Sequence, residues 1–361
     1  MLKHAAENLQ CKHGIKNIFD QLKFGDDSKP MIDLTTQRII VTGGAGFLGK
    51  FVCKKLCQRG VPSDQLLVPR STLYDLTTED GVVRMYDDFE PDIVIHLAAE
   101  VGGIGANMAQ PGRFFYANAA MGLHLVEHGR QRKIKKFVHI GTVCAYPKYA
   151  NVPFKESDLW DGYPEETNAP YGIAKKAVFV MLDAYYRQYS LPAAVVVPVN
   201  LYGPHDNFDP ETSHVIPALI RKCEHARIND LSTITCWGTG KATRQFLHVE
   251  DAAEGIIKAT ECVESPEPIN LGGGEEIAIN RLVKEICTAT GYSGKILWDI
   301  KKPDGQPRRA IDITQAQKRL KWRPQMSFQE GLFQTVEWWR THSKNSLPDI
   351  DGRQTADSAA A

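Results

Sequence analysis

Neither sign of charge is in excess in this chain of 361 residues: Lys and Arg number 43, Asp and Glu number 43, and the formal net charge is zero. Without a basic surplus the surface has no general means of holding a phosphate backbone, so no nucleic acid partner is expected. Cysteine is sparse. The eight present, at positions 11, 53, 57, 144, 223, 236, 262 and 287, form no CxxC pair, and neither a disulfide framework nor a metal site is expected. Cys53 and Cys57 lie one helical turn apart and read as small side chains on one buried face. Long apolar runs are also missing: the longest, 191–199, has nine residues and two prolines, against the ~20 residues of a membrane helix. No membrane span is expected. The N-terminus lacks an uninterrupted apolar h-region and a small-residue cleavage site, which makes a reducing cytoplasm the expected compartment.

What is present is globular. Hydrophobic residues make up 43% and charged residues 24%, far from the signature of disorder, and the length suits one large domain or two intimate ones. From Gln37 onward, short apolar runs alternate with longer amphipathic segments. The spacing predicts strands at 38–42, 65–68, 93–97, 137–141 and 194–199, with helices at 48–59, 79–89, 111–130 and 170–189. This βαβ order is that of an α/β protein with a Rossmann-type, doubly wound parallel sheet, because parallel crossovers are right-handed. Beyond Tyr202 the pattern turns irregular, with Gly/Pro-rich joints, and a smaller discontinuous α/β lobe is expected. The organisation read from this texture is an N-terminal extension at 1–36, a nucleotide-binding domain at 37–202 and 240–266, the smaller lobe at 203–239 and 267–342, and a flexible tail at 343–361.

Two motifs carry chemistry. Directly after the strand Arg-Ile-Ile-Val comes Thr42-Gly43-Gly44-Ala45-Gly46-Phe47-Leu48-Gly49. Glycines 43, 46 and 49 permit a tight turn, close approach of backbone to a pyrophosphate, and close helix-to-strand packing, while the helix start at Phe47 and Leu48 favours the anion. The second motif is Tyr171-Gly-Ile-Ala-Lys175, whose spacing puts a phenol and an ammonium on one helix face. A tyrosine can exchange a proton with a carbonyl if a nearby ammonium lowers its pKa. Thr142, at the end of the preceding strand, adds a hydroxyl. The second strand ends in Val-Pro-Arg70-Ser71 rather than in an acid, a guanidinium and a hydroxyl suited to the 2′-phosphate of NADP(H) rather than the ribose of NAD.

The strings VTGGAGFLG, HLAAEVGGIGAN, GTVCAYPK, ETNAPYGIAKK, PVNLYGPHDNFDPETSHVIPAL, WGTGKATRQFLHVEDAAEG and KPDGQPRRAID together resemble those of an extended short-chain dehydrogenase/reductase. Within that superfamily they resemble the GDP-L-fucose synthase family, the epimerase/reductases of GDP-4-keto-6-deoxy-D-mannose. The resemblance spans roughly 37–339. It implies NADPH as cofactor, a GDP-linked 4-keto-6-deoxy sugar as substrate, epimerisation at C3 and C5, and then reduction at C4. Cys144 matches the family's base and His214 its acid; Tyr171 would protonate the C4 oxygen, Lys175 would bind the nicotinamide ribose, and Thr142 would orient the carbonyl. Thr142 stands where the family usually has serine. Asp75 resembles an adenine contact, with a turn role as the alternative, and Asn200, Lys222, Trp237, Arg244 and Lys302 stand at positions that meet the nucleotide sugar.

Related activities leave different marks. A 4,6-dehydratase would place an Asp-Glu pair where Val143-Cys144 stands, a simple 4-epimerase would need neither Cys144 nor His214, and a binding module would be expected to lose Tyr171 or Lys175. The segments 114–126 and 177–189 carry apolar residues on more than one face. Since related enzymes pair these two helices across a two-fold axis, a homodimer is expected.

Overall fold

The computed structural model describes residues 32–343 apart from 211 and 303–305. The expected tail beyond Ser343 and the first 31 residues lie outside the described part. Ile32, Asp33 and Leu34 already belong to the folded body, ahead of the boundary expected at Gln37: the Ile32 amide donates to the Glu261 carbonyl (2.9 Å) and Leu34 is buried in the core.

Six parallel strands form the main sheet in the order β2-β1-β3-β4-β5-β9. They are β1 (Ile39–Thr42), β2 (Leu66–Leu67), β3 (Ile93–His96), β4 (Lys136–Ile140), β5 (Ala193–Pro198) and, after three strands of the smaller lobe, β9 (Pro268–Leu271). The connecting helices are α1 (Phe47–Gln58), α2 (Glu79–Phe89), a short α3 (Ile104–Ala109), α4 (Pro111–Gln131) and α5 (Ala169–Tyr189). Every residue of β1, β3, β4 and β5 is buried. Such strands are covered by helices on both faces, which is why they read as largely apolar runs. Thr78 caps α2, its side chain accepting from the Gly81 amide, with Glu79 and Asp80 in the first turn where the helix dipole favours acids.

The smaller lobe holds β6 (Asn200–Tyr202), α6 (Val215–Ile228), β7 (Thr233–Trp237), β8 (Thr243–His248), β10 (Glu276–Ala278), α8 (Ile279–Thr290), β11 (Lys295–Asp299), β12 (Arg308–Arg309) and α10 (Phe328–His342). Its own core gathers Tyr202, Phe208, Ile220, Leu282, Ile286 and Trp339. Helix α7 (Val249–Cys262) packs beside α1, and a short α9 (Thr314–Arg319) packs on β9.

Two pieces fall on the other side of the expected boundaries. Strand β9, placed by the sequence reading in the lobe, pairs with β5 and closes the main sheet; its Pro-Ile-Asn-Leu run, interrupted by Asn270, is not the unbroken apolar stretch that announces a parallel strand. Strand β8, expected within 240–266 of the nucleotide-binding domain, pairs instead with β6, β10 and β12. The chain crosses between the two halves more often than its Gly/Pro joints indicate. Its order reverses between β1 and β3, and the crevice at the carboxyl ends of those strands is where open α/β sheets bind ligands.

Candidate active site

The glycine turn sits at that crevice. Gly43 adopts φ +69°, and a side chain there would lie 2.8 Å from the Ala98 amide in the loop after β3. A side chain at Gly49 would lie 2.1 Å from the Gly43 carbonyl oxygen. The turn therefore closes on itself only with these residues. Gly46 occupies the N-cap position of α1 and no side chain caps that end, so the first amides of the helix, at Phe47 and Leu48, are available to an anion. Arg70 is exposed just beyond β2, and Val68 of the same segment packs against Gly44. Asp75 spends one carboxylate oxygen on the Thr77 amide (2.9 Å) and hydroxyl (2.7 Å). Those bonds hold its carboxyl below the usual range and make it a turn residue leading into α2, the alternative weighed for it above.

Thr142, Cys144, Tyr171 and Lys175 converge at the carboxyl end of β4. The sequence reading placed Thr142 at the end of this strand. The strand stops at Ile140, however, and Val143–Ala145 form a 3₁₀ turn that Thr142 caps, its Oγ1 accepting from the Cys144 amide at 3.2 Å. The Thr142 side chain is thus tied to the Cys144 backbone. Helix α5 lies tight against the turn: a side chain at Gly172 would come within 2.5 Å of the Cys144 carbonyl oxygen. The same closeness brings the Tyr171 hydroxyl near enough to Thr142 for that hydroxyl to act on its acidity.

Burial pushes the Tyr171 phenol up, a negative Cys144 sulfur would add to this, and Thr142 offsets part of it. The Tyr171 phenol therefore keeps its proton, and the lowering expected from Lys175 is not the dominant effect. The reason is Lys175 itself, which is 2% exposed and is lowered by burial to about 7, so its own charge is only partial near neutrality. Two buried histidines lie beside it. His96 and His139 stack with centroids 5.5 Å apart, and burial together with the Lys175 charge holds both well below the usual histidine range. His96 Nδ1 and Thr42 Oγ1 share a hydrogen bond of 2.8 Å. Sequence reasoning singled out neither histidine, since a histidine in a buried strand carries no local signal.

No hydrogen bond from the Lys175 ammonium to another group is found among the described residues, whereas the adjacent Lys176 donates to the Leu159 carbonyl (2.5 Å) and sits over the Trp160 ring. A nearly buried amine without a partner, beside a glycine turn and an uncapped helix start, fits the ribose and pyrophosphate of a dinucleotide.

The smaller lobe supplies the opposite wall. His214 stands at the N-cap of α6; protein atoms crowd it enough to lower its basicity, while its ring stays open to solvent. The loop after β3 braces this segment, the Gly103 amide donating to Thr212 (3.2 Å). Trp237, at the end of β7, is 63% exposed, and the Lys302 ammonium lies 5.1 Å from its ring centroid. This pair offers a flat surface and a charge to a nucleotide. Arg244 on β8 donates to the Gln306 carbonyl (2.6 Å). Asn200 donates to the Gln245 carbonyl (3.3 Å) and Lys222 to the Thr235 carbonyl (2.6 Å); both are engaged in holding strands. Gln306 and Arg309 belong to the site and were not singled out from the sequence. Arg309 reaches Cys144, with Nη1 at 3.5 Å from Sγ.

No group of three or more His, Cys, Asp or Glu side chains suited to a metal occurs among the described residues. No described helix is long and apolar enough to cross a membrane.

Comparison with known proteins adds to this geometry. A profile of the NAD dependent epimerase/dehydratase family matches residues 39–272. GDP-L-fucose synthase 1 of Arabidopsis thaliana is 36% identical over 315 residues, 87% of this chain and 96% of that protein. GDP-L-fucose synthase of Escherichia coli (strain K12) is 36% identical, covering 85% of this chain and 97% of that one. Among solved structures, a GDP-L-fucose synthetase from Naegleria fowleri bound to NADP superposes with a TM-score of 0.80 at 28% identity, over 88% of this chain and 98% of that chain.

Proposed function

The chain belongs to the NAD dependent epimerase/dehydratase family and groups there with the GDP-L-fucose synthases; on that premise we propose that it converts GDP-4-keto-6-deoxy-D-mannose to GDP-L-fucose with NADPH. The observation that carries the reading is the meeting of Cys144 with Thr142 and Tyr171 at one strand end. A plain reductase needs the hydroxyls but no carbon base.

The C4 ketone acidifies the C–H bonds at C3 and C5. Cys144 removes one of these protons, and the electron pair moves onto the C4 oxygen, where the Thr142 and Tyr171 hydroxyls donate to it. His214 returns a proton from the other face, inverting the centre. Its site favours the neutral ring, so the proton it gains is readily given up. NADPH, when bound, supplies the hydride for C4. Tyr171, kept protonated by burial, then delivers its proton to the C4 oxygen, and Lys175 would hold the ribose through its amine, which has no hydrogen-bonding partner among the described residues. The Phe47 and Leu48 amides would meet the pyrophosphate and Arg70 the 2′-phosphate, while Trp237, Lys302 and Arg244 would hold the GDP moiety.

Incubating the protein with NADPH and GDP-4-keto-6-deoxy-D-mannose should consume reduced nicotinamide and yield GDP-L-fucose. Formation of an unepimerised 4-hydroxy sugar instead would reduce the activity to a C4 reductase. Free thiols at each described cysteine suit a reducing cytoplasm. Exposed Phe115, Leu123 and Val180 on α4 and α5 support a homodimer formed through those helices. Sedimentation of the full chain should give about twice the 40.3 kDa of one chain, and a single-chain mass at micromolar concentration would exclude it.

A further inference from the structure

Arg308 and Arg309 are successive residues of β12, so their side chains leave on opposite faces. Arg308 forms a two-pronged pair with Glu276 (2.9 and 2.5 Å) and is spent on the lobe's own sheet. Arg309 turns toward the main sheet. Its Nη1 lies 3.5 Å from the Cys144 sulfur, and its Nε donates to Gln306 Oε1 at 3.1 Å. Gln306 is 9% exposed and all its polar atoms beyond the amide are used. Its Nε2 donates to the Lys148 carbonyl (2.9 Å) in the chain that follows Cys144, and its backbone carbonyl accepts from Arg244 (2.6 Å). One buried glutamine thus braces both arginines against the segment that carries the thiol.

We infer that Arg309 is the electrostatic partner of Cys144, a guanidinium brought by the smaller lobe that holds the sulfur as a thiolate beside Tyr171, with Gln306 as its positioning residue. The groups facing the pair are Tyr171 beside the sulfur, Thr142 on the amide of the same cysteine and, around the guanidinium, Glu165, whose carboxyl Arg309 helps to lower. The catalytic role rests on Cys144 being the carbon base; the ion pair itself does not. In the proton transfer the sulfur lone pair takes hydrogen from carbon, the C–H pair passes to the C4 oxygen, and the product is a neutral thiol plus an oxyanion. Arg309 then loses its anion but keeps Gln306. After His214 has reprotonated the carbon, the Cys144 proton leaves to solvent and the pair re-forms. Arginine suits this task because it stays charged throughout.

The test is alkylation of the full-length protein by iodoacetamide, followed at the Cys144 peptide by mass spectrometry at pH 7 and pH 10 in the parent, Arg309→Ala and Arg309→Lys. The ratio of the two rates cancels accessibility. Because a charged hydrogen bond to the thiolate is lost, the ratio should fall roughly tenfold in Arg309→Ala. Lysine, keeping a charge, should restore most of it, and the exposed Cys57 should be unaffected. An unchanged ratio at Cys144 in Arg309→Ala would overturn the pairing. A tenfold fall accompanied by parental rates of solvent-hydrogen exchange at C3 and C5 would leave the pairing intact and overturn its catalytic role, because the base would then be another group.

Discussion

The main sheet and the smaller lobe bury their strands in different ways. Strand β5 is buried at all six positions, whereas β7 alternates exposed and buried residues over five and ends on the open Trp237 ring. Enclosure on both faces makes the sheet a rigid block, and its functional groups stand where it stops, at the loop after β1 and the turn after β4. The one-sided strands of the lobe leave a face free to meet ligand. Chemistry divides accordingly. The sheet half carries Thr142, Cys144, Tyr171 and Lys175, while the lobe carries His214, Arg244, Trp237 and Arg309. On the proposed reading, reduction belongs to the sheet, recognition of the nucleotide sugar to the lobe, and epimerisation to the seam where Arg309 touches Cys144.

If that division holds, sheet-side changes should remove a chemical step. Tyr171→Phe keeps the ring and deletes the proton donor, so NADPH oxidation should fall by about 10²- to 10⁴-fold, the range of general acid catalysis, with cofactor affinity nearly unchanged. Steady-state kinetics with titration of NADPH binding would check this, and near-normal turnover would remove Tyr171 from the reaction.

Binding changes on the two sides should be mirror images. Arg70→Ala should raise the KM for NADPH roughly tenfold, the order expected when a charged hydrogen bond is lost, and leave that for NADH and for the sugar alone. Trp237→Ala should raise the KM for the nucleotide sugar by about tenfold, in keeping with base stacking on an aromatic ring, and leave both cofactors alone. A shift in the other ligand's KM would blur the boundary between sheet and lobe.

The smallest effect sharpens a contrast within one helix. Lys175 and Lys176 are adjacent and both mostly buried, but among the described residues only Lys176 has a hydrogen-bonding partner. A buried cation without one costs stability. Since burial lowers Lys175 from 10.5 to about 7, the unfolded chain holds a proton between those values that the folded chain has released. The penalty is therefore full below pH 7 and relieved as pH rises toward 10. Lys175→Met should raise Tm by a few degrees at pH 6.5, progressively less at higher pH, while abolishing reduction. Equal Tm values for variant and parent at pH 6.5 would show that the amine is stabilised by something else.

The same contrast decides what could be read in the chain beforehand. Strands β1, β3, β4 and β5 are legible because each is an apolar run bounded by turn residues, and α1, α4 and α5 because they follow such runs at crossover length. The glycine turn and Tyr171/Lys175 are local patterns, visible as spacing. Strand β9 was missed because its Pro-Ile-Asn-Leu run is broken by Asn270 and opens on a proline, and its pairing with β5 crosses some seventy positions. Arg309 was missed for a related reason. Its alternation against Arg308 is visible only once residues 308 and 309 are known to be a strand, and its target lies 165 residues away. The turn at Val143–Ala145 replaced the expected strand end because the Thr142 hydroxyl caps it, a competition between side chain and ladder that short segments do not reveal.

The central claim is that one site runs two separable reactions, and Cys144→Ser in deuterated solvent tests it most directly. The account predicts that incorporation of deuterium at C3 and C5 of GDP-4-keto-6-deoxy-D-mannose collapses, because a hydroxyl is a far weaker carbon base than a thiolate. Hydride transfer from NADPH to the unepimerised ketone should continue and yield the unepimerised 4-hydroxy sugar. Exchange at the parental rate would contradict the account and return Cys144 to a packing role; loss of both reactions together would show that the two chemistries cannot be separated in this site.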